Sequence, residues 1–236
     1  MTVCIPSYKR AGKVKTFELL GDAFSKEEVI IATQTESDYA EYTQLYGDKA
    51  TIILAEAHSC GEARNNLLDY CEGKGFKEVL FLDDDIKKIR TLESKFILGL
   101  EFRELMDKCF QFARKNRITL FGSYATDCPM QMSRRAVPNI IDGMLCGLLD
   151  TSLRYDKFFT TKSDYELSLR LMSQGKRVIR FNSFAPVNTP RSSGGCEEIR
   201  QRKDEYLSVA QCLVDAYPEL VKLHPTKKGE IKYIGR

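Results

Sequence analysis

The sequence predicts an α/β protein with a central, mostly parallel β-sheet flanked by helices, and three observations carry this prediction. Short β-branched runs alternate with helical patterns over residues 1–90, which is the chain order of parallel sheets with crossover helices. The 236 residues are enough for one large domain or two small ones, and 43% of them are hydrophobic, as in ordinary globular proteins. No internal repeat or interdomain linker interrupts the pattern, so we predict a single domain over residues 1–236.

The first elements follow one another in a regular order. Apolar, β-branched runs predict strands at residues 3–6, 28–32, 51–54 and 78–82. Apolar residues on one helical face predict a helix over residues 61–71. Because each strand ends in a turn or in a polar helix start, we expect all four strands to lie in one sheet.

The second part of the chain is less regular. Residues 102–115 have the apolar spacing of a helix, whereas residues 119–155 predict short strands and turns around a second site. A helix over residues 164–174 and a strand over residues 177–181 follow, and a loop rich in Pro, Ser and Gly occupies residues 188–195. We predict a long helix after this loop. Its apolar positions at helical spacing are Ile199, Tyr206, Ala210, Leu213 and Val214.

Composition and charge narrow the class of protein. The 36 basic and 33 acidic side chains leave a net charge of +3, which is too small for a polybasic surface and neither indicates nor excludes nucleic-acid binding. The eight cysteines never fall in a C-x-x-C spacing, so we expect reduced core thiols. The sequence contains no signal-peptide core and no apolar run of the roughly 18 residues that span a bilayer. We therefore expect a cytoplasmic protein with no membrane partner.

The strongest chemical signal is the segment VLFLDDDI, in which a predicted strand ends in Asp83, Asp84 and Asp85. Ligands of open α/β sheets bind beyond the carboxyl ends of the strands, and paired carboxylates there commonly hold a hard divalent cation and its phosphates. Alternate aspartates at 83 and 85 would point to one site. A solvated acidic turn is the alternative, but such dense charge beside a buried strand is costly unless it is neutralised.

Two other strand ends carry polar residues suited to phosphates, in the segments IPSYKR and GEARNN. Lys9 and Arg10 can meet a diphosphate, and Tyr8 can cover a base. Arg64 and Asn65 can donate hydrogen bonds near a helix amino terminus. The alternatives are a solvated loop for the first segment and a capping arrangement for the second.

Other catalytic templates are missing from the sequence. It has no G-x-S-x-G elbow, no G-x-x-x-x-G-K-[ST] loop and no G-x-G-x-x-G after a strand. Its two histidines, His58 and His224, are too few for a multi-histidine zinc site, so any metal would rest mainly on oxygen ligands. Hydrolase, P-loop and dinucleotide-binding interpretations are therefore not supported.

The motifs IPSYKR, GEARNNLLDYC and LFLDDD resemble the nucleotide-sugar half of GT-A fold glycosyltransferases, where an aspartate pair forms the D-x-D motif. KSDYELSLRLMSQGKRVIRF resembles that fold's acceptor-side motif, an E-D-x-E-L-S-x-R-L helix followed by glycine and a strand. Ser163 replaces the leading glutamate, whereas Asp164 and Glu166 keep the other two acidic positions. RSSGGCEEIRQRKDEYL and AYPELV are similar to the TET/JBP-associated glycosyltransferases, a GT-A branch of phages and eukaryotes thought to modify hydroxymethylated pyrimidines in DNA.

The resemblance implies a GT-A-like, Rossmann-like nucleotide-diphospho-sugar transferase. It divides the chain into a nucleotide-sugar-binding half at residues 1–90, an acceptor and catalytic half at residues 91–195, and a C-terminal helix and tail at residues 196–236. The implied donor is a nucleotide diphosphate sugar, with UDP as first choice. The donor-binding residues that we predict are Pro6, Ser7, Tyr8, Lys9, Arg10, Glu36, Arg64, Asn65, Asp83, Asp84 and Arg191.

The resemblance also implies roles in the reaction. Asp85 would bind Mn²⁺ or Mg²⁺, Asp83 would engage the ribose or a metal-bound water, and His224 is a further ligand candidate, with a surface histidine as the alternative. Asp164 would remove the proton of the acceptor hydroxyl, which gives inversion in one displacement. Glu166 is the second catalytic candidate, and the alternative for Asp164 is a helix N-cap.

The acceptor is the most open part of the prediction. Our first choice is the hydroxymethyl group of a modified pyrimidine in DNA, and a cytoplasmic glycan, lipid or protein is the alternative acceptor. Nucleotidyl transfer and a non-catalytic nucleotide-sugar or nucleic-acid binding module are the alternative functions. A DNA base would have to leave the stack. We expect its pocket within residues 124–159, at Tyr124, Met130, Met132, Arg134, Arg135, Phe158 and Phe159. We also expect residues 188–195 to close over the donor.

Overall fold

A computed structural model of the chain describes residues 1–188 and 203–235. Its helices are α1 (Thr16–Leu20), α2 (Glu36–Tyr46), α3 (Cys60–Gly73), α4 (Gly99–Lys115), α5 (Ser163–Ser173) and α6 (Lys203–Ala216). Its strands are β1 (Thr2–Pro6), β2 (Val29–Thr33), β3 (Thr51–Leu54), β4 (Val79–Leu82), β5 (Ile86–Thr91), β6 (Phe96–Ile97), β7 (Ile118–Ser123), β8 (Ala136–Pro138), β9 (Leu145–Leu148), β10 (Arg177–Phe181), β11 (Phe184–Asn188), β12 (Val221–Leu223) and β13 (Ile231–Tyr233).

The central sheet has eight strands in the order β3-β2-β1-β4-β9-β7-β10-β8. The strands from β3 to β4 run parallel to one another, and so do β7 and β10. β9 runs antiparallel between β4 and β7, and β8 closes one edge antiparallel to β10. All strands but β8 and β9 therefore point the same way, and the predicted mostly parallel α/β fold is confirmed.

Helices cover both faces of this sheet, which explains why its central strands are apolar throughout. In β4, Leu80 and Leu82 pack in one apolar cluster with residues of α1, α2 and α4. Val79 and Phe81, on the other face, pack with residues of α3 and α5. All four of these side chains are 0% exposed. Polar groups are consequently concentrated where the strands end.

A glycine allows the antiparallel strand β9 to lie in the middle of the sheet. Gly147 of β9 pairs with Phe121 of β7, and a Cβ on Gly147 would lie 2.1 Å from Phe121 Cζ. The ring of Phe121 occupies that space, so a side chain at position 147 has no room. β9 matters for the site because the residue before it, Met144, accepts a hydrogen bond from Asp83 N at 2.9 Å.

Two smaller sheets accompany the central sheet, and one of them adjoins the end of β4. β5 begins directly after Asp85 and pairs antiparallel with β6 and β11, so that Asn188 at the end of β11 lies opposite Ile86. β12 and β13 form an antiparallel hairpin. Together with α6, this hairpin buries a third apolar cluster against Leu169 of α5 and Phe159.

The predicted elements lie within three residues of the observed ones at each end. The sequence prediction missed α1, α2, the three-stranded sheet and the C-terminal hairpin, which are short or have few buried apolar positions. The predicted long helix is present as α6 from Lys203, while Ile199 lies outside the described residues. The division of the chain at residues 90 and 195 stays a prediction.

Two further observations concern the thiols and membrane contact. The seven cysteines within the described residues are all free. Over the same residues, no helix has the length and apolar character needed to cross a membrane.

Candidate functional site

The first and fourth strands end side by side at the carboxyl edge of the central sheet. β1 and β4 pair in parallel, so the residues that follow them meet. Ser7 Oγ and Arg10 Nη1 both donate hydrogen bonds to the carboxylate of Asp84. Arg10 Nη1 also lies 3.6 Å from Asp85 Oδ2. The two strand ends thus join a serine and an arginine to the aspartate cluster, by which we mean Asp83, Asp84 and Asp85.

Asp84 is the buried member of the aspartate cluster, with 5% of its surface exposed. Ser7 and Arg10 engage its two carboxylate oxygens. Its main-chain oxygen accepts hydrogen bonds from Lys15 N at 2.8 Å and Thr16 N at 3.3 Å. These contacts make Asp84 an anchor between the end of β4 and the loop that follows β1.

Asp83 is more open, with 34% of its side chain exposed, and its Oδ1 lies 3.3 Å from Arg64 Nη2. The surrounding protein still removes much of its hydration, and this burial is the main cause that raises the pKa of Asp83 to about 7. Arg64 lowers this pKa, while the carboxylates of Asp85, Asp84 and Asp142 raise it. The site therefore holds more negative charge than its arginines neutralise.

Arg64 reaches the aspartate cluster from α3 and is 4% exposed. Its guanidinium carbon lies 5.5 Å from the ring centre of Tyr155 and 5.9 Å from that of Phe81. Nη2 donates a hydrogen bond to Gly143 O at 2.9 Å. A Cβ at position 143 would lie 2.5 Å from Arg64 Nη1, so the guanidinium fits there only because residue 143 is glycine.

The Gly143 peptide joins the aspartate cluster to Asp164. Its carbonyl accepts the hydrogen bond of Arg64, which in turn pairs with Asp83. Its N–H donates to Asp164 Oδ2 at 2.7 Å. Asp164 Oδ1 accepts a second hydrogen bond from Tyr165 N at 3.0 Å. Two backbone donors thus fix the Asp164 carboxylate, and a single peptide separates it from the Arg64–Asp83 pair.

The two acidic residues of α5 have different surroundings. The N-cap position of α5 is occupied by Lys162, so Asp164 lies in the first turn and is not the cap. Glu166 is 2% exposed. It pairs with Arg170 at 2.8 Å and accepts a hydrogen bond from Tyr217 Oη at 3.2 Å. These contacts tie Glu166 to Arg170 and to the segment after α6, and its predicted catalytic role stays a prediction.

Asn65, a predicted donor-binding residue, connects α3 to the backbone of Tyr155. Its Nδ2 donates to Tyr155 O at 2.9 Å, and its Oδ1 accepts from Tyr155 N at 2.7 Å. The side chain is 6% exposed. With both polar atoms of its amide engaged, Asn65 fixes the ring of Tyr155 beside Arg64, and its contacts give the donor-binding prediction no support.

Two residues of α2 reach the site and were missed in the sequence. Tyr42 Oη lies 2.7 Å from Ser7 Oγ and accepts a hydrogen bond from Arg10 N at 3.0 Å. Burial is the main cause that raises the pKa of Tyr42 to about 12. Asp38, one helical turn earlier, is 8% exposed, and its Oδ2 has no hydrogen-bond partner within the described residues. The i, i+4 spacing of these residues was the available signal, whereas the predicted Glu36 is exposed.

The remaining predicted residues after β1 are more open to solvent. Pro6 is the last residue of β1 and is partly buried. Lys9 is exposed, has a left-handed backbone with φ 53°, and places Nζ 4.8 Å from the ring centre of Tyr8. The turn that this conformation makes brings Arg10 N within reach of Tyr42.

Comparison with known families supplies the identity. The sequence model described as TET-Associated Glycosyltransferase matches residues 1–195. The chain belongs to this glycosyltransferase family. Among the curated proteins the comparison finds no match.

Solved structures resemble this TET-associated glycosyltransferase at low sequence identity. A protein from Desulfovibrio desulfuricans G20 described as a nucleotide-diphospho-sugar transferase is 14% identical, with a TM-score of 0.50 over 92% of this chain and 99% of that one. A cytidylyltransferase from Leptospira borgpetersenii serovar Hardjo-bovis is 11% identical, with a TM-score of 0.47 over 94% and 98%. CMP:2-keto-3-deoxy-manno-octonic acid synthetase is 12% identical, with a TM-score of 0.46 over 89% and 98%. The first likeness shows a shared fold, in agreement with the GT-A-like prediction.

The predicted metal ligands of this glycosyltransferase are not assembled into one group. Among the described residues, no three or more His, Cys, Asp or Glu side chains are arranged to hold a metal ion. His224 lies between β12 and β13, and its Nδ1 accepts hydrogen bonds from Lys227 N at 3.2 Å and Thr226 N at 3.3 Å. The imidazole therefore stabilises its own turn and does not join Asp83 and Asp85.

The predicted base pocket of the glycosyltransferase is divided between core and surface. Met132 and Phe159 are each 8% exposed and belong to the protein interior. Met130 and Phe158 are 95% and 71% exposed. Arg191 and most of the predicted closing loop lie outside the described residues.

Proposed function

We propose that this glycosyltransferase moves a sugar from a nucleotide diphosphate, with UDP as first choice, to the hydroxymethyl group of a modified pyrimidine in DNA. Membership of the TET-associated family supports the transferase chemistry. The observation that carries the proposal is the Gly143 peptide, which holds Asp164 on one side and the Arg64–Asp83 pair on the other. The shared peptide keeps the candidate base close to the donor-binding cluster, and such proximity favours a single displacement.

The donor nucleotide would bind where β1 and β2 end. Asp38 offers a buried carboxylate oxygen without a partner in the described part of the chain. A carboxylate there can accept a hydrogen bond from a ribose hydroxyl or a base N–H. Tyr42 and Ser7, which contact each other at 2.7 Å, would form the wall beside it.

The aspartate cluster fits Mn²⁺ or Mg²⁺ in its chemistry. Three carboxylates meet two guanidinium groups, those of Arg10 and Arg64, so one negative charge remains, and the ligand atoms are the oxygens that hard cations prefer. Asp85 and Asp83 would hold the cation, since Asp84 is engaged with Ser7 and Arg10. When bound, such a cation supplies positive charge that stabilises the departing diphosphate.

Asp164 would remove the proton of the acceptor hydroxyl while that oxygen attacks the anomeric carbon. The N–H groups of Gly143 and Tyr165 hold the carboxylate in place, so little reorientation is needed when the acceptor arrives. The displacement occurs once, which inverts the configuration at the anomeric carbon. Glu166, bound to Arg170 and Tyr217, would keep α5 in position.

Calorimetry with a UDP-sugar tests the donor and metal assignment. We expect the chelated protein and Asp85→Ala to lose most donor affinity, about tenfold or more, because an anionic oxygen ligand is removed. Glu62→Ala, which changes an acidic side chain of α3 that bonds to His58 N, serves as the control with unchanged affinity. Equal affinity with and without chelator would reject the metal requirement.

Mass spectrometry of nucleosides tests the acceptor. A panel of nucleotide sugars is incubated with hydroxymethylated and unmodified DNA, and we expect a hexose or pentose mass increment on the hydroxymethylated pyrimidine alone. Asp164→Asn should form the increment about 10²-fold more slowly or worse. No transfer to hydroxymethylated DNA from any donor would reject DNA as the acceptor and favour a glycan, lipid or protein.

A further inference from the structure

Two arginines that are half-buried have no carboxylate partner among the described residues. Seven other arginines in this part of the chain form ion pairs with acids. Arg180 of β10 instead lies with its guanidinium carbon 4.9 Å from the ring centre of Tyr124. Arg90 of β5 lies 4.6 Å from the ring centre of Phe96, and Lys88 Nζ lies 3.6 Å from the same ring centre. Three cations thus face aromatic rings in place of acids.

The charge of both arginines is incompletely balanced. Arg90 Nε is buried and has no hydrogen-bond partner in the part of the chain that the structure describes. Arg180 Nε donates to the neutral Asn182 Oδ1 at 2.8 Å. Burial lowers the pKa of Arg180, and the groups that oppose this are the phenols of Tyr124 and Tyr165. Because a desolvated cation is costly without an anion, both positions favour an anionic ligand.

The two positions adjoin each other through β11. Tyr124 N donates to Phe184 O at 3.0 Å, and the next residue of β11, Ala185, pairs with Arg90. Neighbouring strands lie about 4.8 Å apart, so Tyr124 and Arg90 are separated by roughly 10 Å. The cations and rings therefore lie on adjoining strands, and we take them together as one surface.

This surface extends towards the first turn of α5. Val178 of β10 packs in the same apolar cluster as Leu167 and Leu171 of α5. Side chains alternate along a strand, so Arg180 lies on the same face of the sheet as Val178 and nearer to the carboxyl end of β10. Asp164 lies in the first turn of α5, the helix that covers this face. A ligand that contacts Arg180 would thus lie on the acceptor side of the site.

We propose that Lys88, Arg90 and Arg180, with the rings of Phe96 and Tyr124, bind the phosphates and flanking bases of a DNA strand whose target base reaches Asp164. We call this surface the cation strip. The proposal rests on the proposed DNA acceptor and names the surface that holds it. Lys and Arg are the side chains that contact phosphates, and aromatic faces stack bases without regard to sequence. Phe96 is 43% exposed, which leaves part of its ring open to a base.

The cation strip differs from the phosphate contacts predicted at Arg134 and Arg135. Arg134 is 84% exposed and lies 4.0 Å from Glu93. Part of its charge is therefore shared with an acid, and a fully solvated side chain gains less from a phosphate than a desolvated one. The half-buried Arg90 and Arg180, which form no ion pair with an acid among the described residues, are therefore the stronger partners for a polyanion.

Salt-dependent DNA binding tests the cation strip. The probe is a short, labelled single-stranded oligonucleotide, measured by fluorescence anisotropy over a range of salt concentrations. We expect the double variant Arg90→Gln, Arg180→Gln to bind about tenfold more weakly or worse. The slope of log affinity against log salt should fall by about 1.4, since each single-strand phosphate contact contributes ~0.7.

The matched control is Arg114→Gln, Arg177→Gln, which removes the same charge elsewhere. Arg114 pairs with Glu78, and Arg177 Nη1 bonds to Asn116 O at the amino end of β10. We expect this pair to keep the wild-type slope, and Arg90→Lys, Arg180→Lys to keep it as well, because the charge remains. If the glutamine pair fails to fold in a melting experiment, the two single glutamine variants should each lower the slope by about 0.7.

The cation strip would be overturned if the glutamine pair and the control pair lost the same oligonucleotide affinity and salt slope. It would also be overturned if the wild-type protein bound no oligonucleotide. Sugar transfer measured with the same proteins separates this failure from failure of the proposed function. Transfer to hydroxymethylated DNA with an unchanged KM for DNA in the glutamine pair rejects the strip and keeps the function. Binding that depends on the strip, without transfer from any nucleotide sugar, supports the strip and rejects the function.

Discussion

The aspartate cluster and Asp164 are positioned in two different ways. The aspartate cluster lies directly after β4, beside the residues that follow the parallel strand β1, so chain order and sheet pairing bring its members together. Asp164 is held instead by Gly143, which lies just before the antiparallel strand β9. The backbone N–H of Gly143 donates a hydrogen bond to the Asp164 carboxylate. Parallel strand ends make one half of the site, and a single glycine peptide connects it to the other half.

This difference predicts which step of the reaction each substitution should affect. A change within the aspartate cluster should affect donor binding, and a change at Asp164 should affect the chemical step. A change at Gly143 should affect both, because Arg64 and Asp164 bond to the same peptide.

The largest expected effect is on Asp164. We expect Asp164→Asn to slow transfer by about 10²-fold or more and to leave donor affinity unchanged, since a general base acts in the chemical step. The measurement is kcat from steady-state transfer together with donor affinity from calorimetry. An Asn variant that keeps kcat within a few-fold would remove Asp164 from the reaction.

Glu166→Gln is the matched comparison on the same helix. Its ion pair with Arg170 is lost, so we expect a lower melting temperature and a kcat within several-fold of wild type for the folded protein. If Glu166→Gln were the inactive variant and Asp164→Asn the active one, the base would be Glu166.

The grouping of the aspartate cluster at the sheet edge could be predicted from the sequence because its signals are local. Asp83, Asp84 and Asp85 follow an apolar strand, and a parallel sheet places such residues at its carboxyl edge whatever the details of packing. The sequence alone could not distinguish the anchor Asp84 from the more open Asp83. That distinction depends on Ser7 and Arg10, which bond to Asp84 only after β1 and β4 are paired.

The second half was less predictable because its contacts join distant parts of the chain. The apolar residues of 119–155 follow neither the helical nor the strand period. One strand in this region, β9, is short and antiparallel, and its Gly147 packs against the ring of Phe121. His224 stood out as one of two histidines, yet its imidazole accepts bonds within its own turn, which no spacing reveals. The role of Gly143 follows from the guanidinium of Arg64 beside it, a contact across 79 residues.

Gly143 connects the two halves of the site, so a substitution there should affect both. In Gly143→Ala the added Cβ would lie 2.5 Å from Arg64 Nη1, so the guanidinium or the peptide must shift. We expect a loss of about 1–3 kcal/mol in the free energy of unfolding, as for other overpacked sites. Both donor affinity and kcat should fall, each by about tenfold. Chemical denaturation, calorimetry and transfer rates measure these three quantities.

Gly73→Ala is the control for this substitution. Nothing lies within 4 Å of a Cβ at Gly73, the last residue of α3, so the same added methyl group should be tolerated. If Gly143→Ala lowered kcat but kept full donor affinity, Arg64 would be unaffected. That result would contradict a connection of both halves through the Gly143 peptide.

The smallest expected effect concerns the charge of the aspartate cluster. The folded chain raises the pKa of Asp83 from its ordinary 3.8 to about 7. Between these values the folded protein binds more protons than the unfolded chain, so this group lowers stability as pH rises from about 4 to 7. Asp83→Asn removes the effect. In chelator, we expect the variant to melt at a higher temperature than wild type at pH 8, and the difference to be smaller near pH 5.

At pH 8 the free energy of unfolding of Asp83→Asn should exceed that of wild type by on the order of 1–2 kcal/mol. The value is this small because a third of the Asp83 side chain is exposed, and water weakens the charge repulsion there. In a chain of this size each kcal/mol shifts the melting temperature by ~2–4 °C. Asp84→Asn is the contrasting variant. It breaks a buried ion pair with Arg10 and should lower the melting temperature at both pH values. If Asp83→Asn gave no greater advantage at pH 8 than at pH 5, the two aspartates would be equally neutralised, and the distinction between an anchor and an open ligand would not hold.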